Sequence, residues 1–154
     1  MDKIEFNPTK IEYGADGFES DAADIFINGK NFLDAIHAYE KVHNINGGHV
    51  PITTYELYQS LAKDYLKNSV PIYGCGCGVI DCSPVYVKIS VDDEIVTWDN
   101  FKFPQAFADK FCPKFEKQTF DKKQYFDEID KLKHWIFDKS AVIEYTALSA
   151  AISA

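Results

Sequence analysis

The sequence predicts an α+β fold, in which an antiparallel sheet around a central hairpin at about residues 84–98 is covered by three or four helices. Apolar and polar residues alternate from Val85 to Val91, the period-two pattern of a strand with one buried face. Asp92-Asp93 then forms a polar turn, and the β-branched and aromatic run from Ile95 to Trp98 returns as the partner strand. Other segments repeat their apolar residues at helical spacing.

Two strands are predicted before the first helix. Ile4 to Tyr13 supplies an opening strand, which Pro8 restricts to an edge or breaks, because proline has no N–H to donate to a sheet. An acidic, turn-like segment follows from Gly14 to Asp21. Asp24 to Ile27 then gives a short strand that ends in the turn dipeptide Asn28-Gly29.

Two predicted helices follow, and each begins at a residue that can cap it. Asn31 can accept hydrogen bonds from the first free N–H groups of one helix. The apolar stripe of that helix consists of Phe32, Ile36 and Tyr39, with Leu33, Ala35 and Val42 beside them. Thr53 or Thr54, with Glu56 close behind, can cap the other helix. Its buried side consists of Leu57, Leu61 and Tyr65, with Tyr58, Ala62 and Leu66 beside them.

The last third of the chain is predicted to hold one more strand and the longest helix. Residues Phe101 to Phe111 form a loop with at most a short helix at Gln105 to Lys110, and Phe115 to Phe120 is a short strand. Asp121 caps the longest helix. The buried face of that helix carries Tyr125, Ile129, Leu132 and Ile136. The tail from Ala141 to Ala154 can add a final helix.

Length and composition indicate one globular domain over residues 1–154. Of these residues 46% are hydrophobic, and no apolar run reaches the roughly 18 residues of a membrane span. The N-terminal segment MDKIEFNPTK has no apolar core of a secretory signal, so we expect a cytoplasmic protein that does not bind membranes. The oligomeric state does not follow from the sequence.

The formal net charge of −8, without a clustered basic face, argues against nucleic-acid binding. Carboxylates concentrate at Asp92, Asp93, Glu94 and Asp99. They are either solvated turn residues that aid solubility or a surface that attracts a basic protein. The neighbouring aromatics, Trp98 and Phe101, belong to the core or, if exposed, to a binding surface. The predicted partner-binding set is Asp92, Asp93, Glu94, Trp98, Asp99 and Phe101.

A predicted glycine-rich turn, Gly74 to Gly78, contains Cys75 and Cys77, and Cys82 follows it. Thiolates on such a turn suit zinc, with a fourth ligand from Cys112, His49 or His134, although the spacing lacks the paired C-x-x-C knuckles of common zinc sites. A redox thiol and small buried cysteines are the alternatives. We expect no metal and no cofactor; if a metal is present, its ligands are Cys75, Cys77, Cys82 and Cys112.

The sequence lacks the common catalytic motifs. It has no phosphate-binding glycine loop, no G-x-S-x-G elbow and no H-E-x-x-H helix. The histidines are His37, His43, His49 and His134, and no two of them are spaced four apart on one helix. We therefore expect a protein that is not an enzyme.

The order of short motifs resembles a family of small, mostly uncharacterised bacterial cytosolic proteins. The resemblance runs from about Ile25 to Leu132 and rests on the C-x-C-G turn at Cys75 to Gly78, on Cys82 and on the V-x-W-x-x-F run from Val96 to Phe101. Ile80-Asp81 departs from that pattern. The chain is also similar to immunity proteins of contact-dependent toxin systems.

That resemblance implies a protein without catalytic activity that binds and neutralises a cognate, basic toxin domain. Two other classes stay open. One is a zinc-binding structural or regulatory module, which uses the cysteine turn, and the other is a small thiol-dependent enzyme.

Overall fold

Strands and helices both contribute to the computed structural model, which describes residues 1–13, 18–42, 48–75, 84–103 and 115–137 and confirms the α+β class. The strands are β1 Ile4–Tyr13, β2 Phe18–Ile27, β3 Lys30–Asn31, β4 His49–Pro51, β5 Val70–Cys75, β6 Val85–Val91, β7 Ile95–Lys102 and β8 Gln118–Asp121. The helices are α1 Phe32–Val42, α2 Thr54–Tyr58 and α3 Lys122–Phe137. A π-helical turn, Gln59–Lys63, and a 3-10 turn, Asp64–Leu66, continue α2.

The strands form two antiparallel sheets. One has the order β1-β2-β3, and the other has the order β4-β5-β6-β7-β8. Two isolated bridges connect the sheets. Asp2, just before β1, pairs with Phe120 in β8, and Ala22 in β2 pairs with Thr53 after β4. The strands therefore curl around a shared interior. The predicted single sheet around one hairpin needs correction, because a long β1–β2 ribbon forms the second sheet.

The interior is filled from both sheets and all three of these helices. Helix α1 packs on β2 and β4, and α3 packs on β1, β7, β8 and α2. The largest fully buried side chains include Phe6, Ile25, Ile36, Leu57, Tyr73, Trp98, Phe120 and Tyr125. No helix in the described segments is both long enough and apolar enough to cross a membrane.

The predicted local signals are confirmed at four places. Asn28 and Gly29 both have positive φ, 54° and 78°, which is the geometry of the turn that joins twisted strands. Asn31 Oδ1 accepts a hydrogen bond from Leu33 N at 3.1 Å at the start of α1. Thr53 and Asp121 accept equivalent bonds at the starts of α2 and α3.

Several predicted boundaries were wrong. Strand β2 begins at Phe18 instead of Asp24, because the acidic segment pairs with the second half of β1. Strand β4 was not predicted, and β7 continues through Phe101 to Lys102. In α1, Val42 is 77% exposed and Glu40 is buried on the inner face. The predicted helices at 105–110 and 141–154 lie outside the described residues.

Side chains of α3 take the place of a neighbouring strand along the free edge of β1. Ile4 N donates to Gln124 Oε1 at 3.2 Å, and Gln124 Nε2 donates back to Ile4 O. Phe6 N donates to Glu128 Oε1 at 3.0 Å. Backbone nitrogens of alternate strand residues point to the same side, so the nitrogen of Pro8, like those of Ile4 and Phe6, points away from β2. Proline therefore removes no hydrogen bond from the β1–β2 ladder. The predicted edge position of Pro8 is confirmed.

Candidate functional site

Two places in the structure carry chemistry that packing does not explain. The first is the acidic tip, which we define as Asp92, Asp93 and Glu94 in the turn between β6 and β7. The second is the Glu40–His49 pair, in which a carboxylate of α1 and an imidazole of β4 meet inside the protein.

Backbone hydrogen bonds to Asp92 hold the acidic tip in one conformation. Asp92 Oδ1 accepts from Glu94 N at 2.9 Å and from Ile95 N at 2.7 Å, and Asp92 N donates to Ile95 O at 3.0 Å. These bonds to the ionised carboxylate lower the pKa of Asp92. All three side chains of the tip are exposed. The tip is therefore a fixed turn that displays carboxylates to solvent.

The first turn of α3 lies beside the acidic tip and holds it in place. Lys122 N donates to Glu94 O at 2.9 Å. A surface groove of about 650 Å³ lies between the two elements, and its walls include Asp93, Glu94, Asp121 and the ring of Phe126. Carboxylates and the lysines Lys122 and Lys123 thus line a partly apolar groove at this end of the molecule.

Asp99 belongs to a different part of the surface. It is exposed and lies in β7 directly opposite Lys88 of β6. A bulge follows at Asn100, which has a φ of 50° and donates its N–H to Asp99 Oδ1 at 2.8 Å. Four residues of strand separate Asp99 from Ile95, roughly 13 Å. The structure therefore brings together three of the four predicted acidic residues and leaves Asp99 apart.

The two predicted aromatic partner-binding residues require a correction. Trp98 is 0% exposed and Phe101 is 5% exposed, so neither ring forms part of the surface. Trp98 packs edge-on against Phe120 and Tyr125, and Phe101 packs against Phe32. Both aromatics are core residues, the alternative that the sequence left open.

The Glu40–His49 pair is the most buried charged arrangement in the described part of the chain. Glu40 is 5% exposed and His49 is 1% exposed. His49 Nδ1 donates a hydrogen bond to Glu40 Oε1. Because the Glu40 oxygen accepts in this bond, Nδ1 carries a proton, and Nε2 is the ring nitrogen that the bond leaves unused.

His49 Nε2 is buried and has no hydrogen-bond partner among the described residues. An unpaired polar atom of this kind costs about 1–3 kcal/mol. Two contacts restrict rotation of the imidazole ring. Its Nδ1 is hydrogen-bonded to Glu40, and the ring of Phe103 packs edge-on against it, with the two ring centroids 5.8 Å apart. His37 Nε2 donates to His49 O at 2.9 Å and fixes the backbone as well.

The hydroxyl oxygen of Tyr73, near the carboxylates of Asp24 and Asp34, is a second buried polar atom. Tyr73 Oη has no partner in the segments that the structure describes. Burial, followed by the negative charges of Asp24 and Asp34, raises the pKa of Tyr73 well above its usual value. Partial burial also raises the pKa of Asp24, although a hydrogen bond from Asn31 works in the opposite direction. This hydroxyl is therefore neutral and sits beside carboxylates.

The predicted cysteine ligands fall almost entirely outside the description. Cys77, Cys82 and Cys112 lie outside the described residues, and so does the side chain of Cys75. The backbone of Cys75 ends β5, where its partner in the β4–β5 register is His49. Within the described ranges, no three His, Cys, Asp or Glu residues come close enough to hold a metal ion.

Sequence reasoning missed Glu40, although its spacing held the signal. Phe32, Ile36 and Glu40 follow one another at intervals of four, and all three are buried in α1. A glutamate at a core position of a helical stripe requires a buried partner, since an unpaired charge is very costly there. His49 could not be identified as that partner, because β4 was not predicted.

Comparisons with protein-family models, with curated proteins and with solved structures found no match for this chain. Two features of the described structure therefore stand out as candidates. These are the fixed acidic tip and the buried Glu40–His49 pair.

Proposed function

We propose that this protein is an immunity-type inhibitor, which binds a basic toxin domain in the cytoplasm and neutralises it through the acidic tip. The observation that carries the proposal is the conformation of the tip. Its carboxylates are exposed, yet the backbone beneath them is fixed by the hydrogen bonds of Asp92 and by Lys122 N. A surface that is already ordered loses less conformational entropy when it binds.

Charge supports the same class of partner. The chain carries a net charge of −8, and a field of that sign speeds encounters with a basic protein. Near the tip, Lys122 and Lys123 offset part of the negative charge, but Lys123 is already paired with Asp127 at 2.8 Å. The carboxylates of Asp93 and Glu94 therefore face solvent without an ion pair to either lysine among the described contacts.

The groove beside the tip supports recognition of a long basic side chain. Its walls carry the carboxylates of Asp93, Glu94 and Asp121 beside two lysines, and Phe126 contributes an apolar surface. A lysine or arginine can lay its methylene stem on such a ring while its charged head meets the carboxylates. We infer that the tip covers a basic, substrate-binding surface of the toxin, so that inhibition occurs by occlusion.

The test is affinity capture from the native cell extract with a tagged full-length chain. The test variant is D93N/E94Q, which removes two charges and leaves the turn-forming Asp92 intact. A matched control, E12Q/D130N, removes two exposed charges from the distal end of β1 and the outer side of α3. Circular dichroism and the unfolding midpoint confirm that both variants fold.

We expect wild type and control to capture the same basic protein and the test variant to bind it about tenfold more weakly or worse. Binding should also weaken as salt rises from about 50 to 300 mM, because exposed charges are screened. Equal binding by both variants would contradict the assignment of the tip. An acidic partner, or one that binds independently of salt, would contradict the proposed class of partner.

A further inference from the structure

We propose that a cleft beside the β1–β2 ribbon binds a small organic cation, namely an amine that carries an apolar body. The cleft has a volume of about 500 Å³. Its walls are formed by residues 8–10 of β1, 19–22 of β2, 53–55 at the start of α2 and 135–136 of α3. We call it the ribbon cleft. The inference is independent of the acidic tip, which lies in the turn between β6 and β7.

The ribbon cleft begins where the bonds between α3 and the edge of β1 stop. Lys131 Nζ donates to Phe6 O at 3.4 Å, and among the described residues this is the last of those bonds along β1. Pro8 comes next on that side of the strand and has no N–H to bond. It lines the cleft together with Trp135, which follows Lys131 by about one turn of α3. Proline and an aromatic ring therefore replace backbone bonds at the inner wall of the cleft.

The ribbon cleft has the size and the apolar wall of a site for a small molecule. Ala22 and Trp135 are buried on this wall. Lys131 holds its ammonium 5.6 Å from the centroid of the Trp135 ring and is already paired with Glu128 at 3.0 Å. Tyr55, in contrast, is 59% exposed beside the cleft, although it is aromatic. Mostly apolar cavities of about 300–1,000 Å³ are typical of small-molecule sites.

The ribbon carries a pair of like charges beside this wall. Glu12 of β1 lies directly opposite Glu19 of β2, and Glu19 lines the cleft. Ile4 and Phe6 point their N–H groups away from β2, and Glu12 follows them in the same alternation. The two glutamates therefore form a non-hydrogen-bonded pair, the class in which opposite side chains lie closest. Like charges in that position repel each other and destabilise the ribbon.

The described residues do not neutralise this pair. Both glutamates are exposed, and neither forms an ion pair within the described part of the chain. Lys10 lies on the same face of the ribbon, but its Nζ is 2.7 Å from Asp21 Oδ1. The hydrogen bond to Asp21 and the charges of Asp21 and Glu19 raise the pKa of Lys10, so this lysine stays charged. Three carboxylates thus face one ammonium, and the net charge of this face is −2.

The charge and the wall together select an amphipathic cation. A protonated amine lowers the repulsion between Glu12 and Glu19, and its hydrogen bonds to carboxylates are assisted by charge. The apolar body of the same molecule covers Ala22, Trp135 and the exposed ring of Tyr55. An anion would be repelled by the carboxylates, and a neutral molecule would leave their repulsion unchanged.

The first experiment is a titration of the full-length, ¹⁵N-labelled chain with phenethylamine, which is protonated at neutral pH. NMR follows the backbone amides and the two tryptophan indoles. We expect saturable shifts at Ala22, Tyr55 and the Trp135 indole, whereas the indole of Trp98, which is buried in the core, keeps its shift. The absence of saturable shifts at the cleft residues would overturn the proposal.

Two further ligands of similar size test the selection by charge. Phenethyl alcohol is neutral, and hydrocinnamate is an anion. We expect both to bind at least about tenfold more weakly than phenethylamine, because only the amine compensates the two glutamates. Equal affinities for the amine and the alcohol would contradict the role of these carboxylates.

Variants of exposed residues assign the two parts of the site. Glu19→Gln should weaken binding of phenethylamine about five- to tenfold and leave phenethyl alcohol unchanged, since it removes a charge and keeps the side-chain shape. Tyr55→Ala should weaken both ligands, because it removes apolar surface. The matched control is Glu5→Gln, which neutralises an exposed glutamate on the opposite face of β1. Circular dichroism confirms that each variant folds. Equal affinity of Glu19→Gln and Glu5→Gln for phenethylamine would overturn the assignment.

Discussion

Trp98 and Tyr125 share a hydrogen bond of 3.0 Å between the indole Nε1 and the phenol Oη in the interior of the protein. Trp98 lies in β7 and Tyr125 in α3, so this bond joins the five-stranded sheet to the longest helix described. The rings also meet edge-on, with their centroids 6.2 Å apart. Burial raises the pKa of Tyr125, so its hydroxyl remains a neutral acceptor at physiological pH.

Tyr125→Phe should lower the free energy of unfolding by about 1–2 kcal/mol. The change keeps the ring, but it leaves the Trp98 N–H buried without its acceptor. Urea unfolding followed by Trp fluorescence and by circular dichroism measures the loss. A change below about 0.3 kcal/mol would mean that the indole N–H finds another partner.

Tyr73→Phe is the matched comparison, and it should raise the free energy of unfolding by about 1 kcal/mol. The Oη of Tyr73 is buried and has no partner among the described residues, so its removal relieves a desolvation cost. The same urea experiment applies. A loss of stability like that of Tyr125→Phe would contradict the view that this hydroxyl is buried without a partner.

Glu128→Ala should lower the free energy of unfolding by about 1–2 kcal/mol, because Phe6 N at the edge of β1 then loses its acceptor. Glu128→Gln keeps an oxygen at that position and should cost less. The comparison separates the hydrogen bond from the ion pair of Glu128 with Lys131 at 3.0 Å, which both variants remove. Equal losses in the two variants would assign the effect to the ion pair.

Asp92→Asn should lower stability at neutral pH and have less effect in acid. Folding lowers the pKa of Asp92, so the ionised carboxylate stabilises the native state above the unfolded pKa of about 3.9. That contribution is lost as the pH falls through the lower folded value. The difference in urea midpoint between wild type and variant should therefore shrink between about pH 4 and pH 2. A difference that stays constant to pH 2 would contradict the role of the charge.

Local signals in the sequence correctly predicted where the three helices begin and where one tight turn lies. Asn28-Gly29, Asn31, Thr53 and Asp121 act within three residues of their own positions, through hydrogen bonds or permissive φ values. Such effects need no knowledge of tertiary structure. The alternation in β6 likewise predicted its buried face.

Features that depend on distant partners were not predicted. The acidic start of β2 looks like a turn, yet Asp21 pairs with Lys10 across the β1–β2 ribbon at 2.7 Å. Strand β4 is three residues long and forms only because β5 lies beside it. The Glu40–His49 pair depends on that strand, and a pattern search along one chain cannot supply the contact.

Of the predicted partner-binding set, the sequence correctly grouped three acidic residues but not the aromatic ones. Asp92, Asp93 and Glu94 are consecutive, so their proximity follows from the sequence alone. Trp98 and Phe101 are three residues apart, so a regular strand would turn them to opposite faces. The bulge at Asn100 turns both rings into the core, and the sequence did not predict that bulge.

The most direct test of the proposed function is a growth-protection assay with the protein that the wild-type chain captures. Expressed alone, this partner should arrest bacterial growth, and the wild-type chain should restore it. The control E12Q/D130N should protect as wild type does, whereas D93N/E94Q, expressed to the same level, should protect poorly. A harmless partner, or equal protection by both double variants, would contradict neutralisation through the acidic tip.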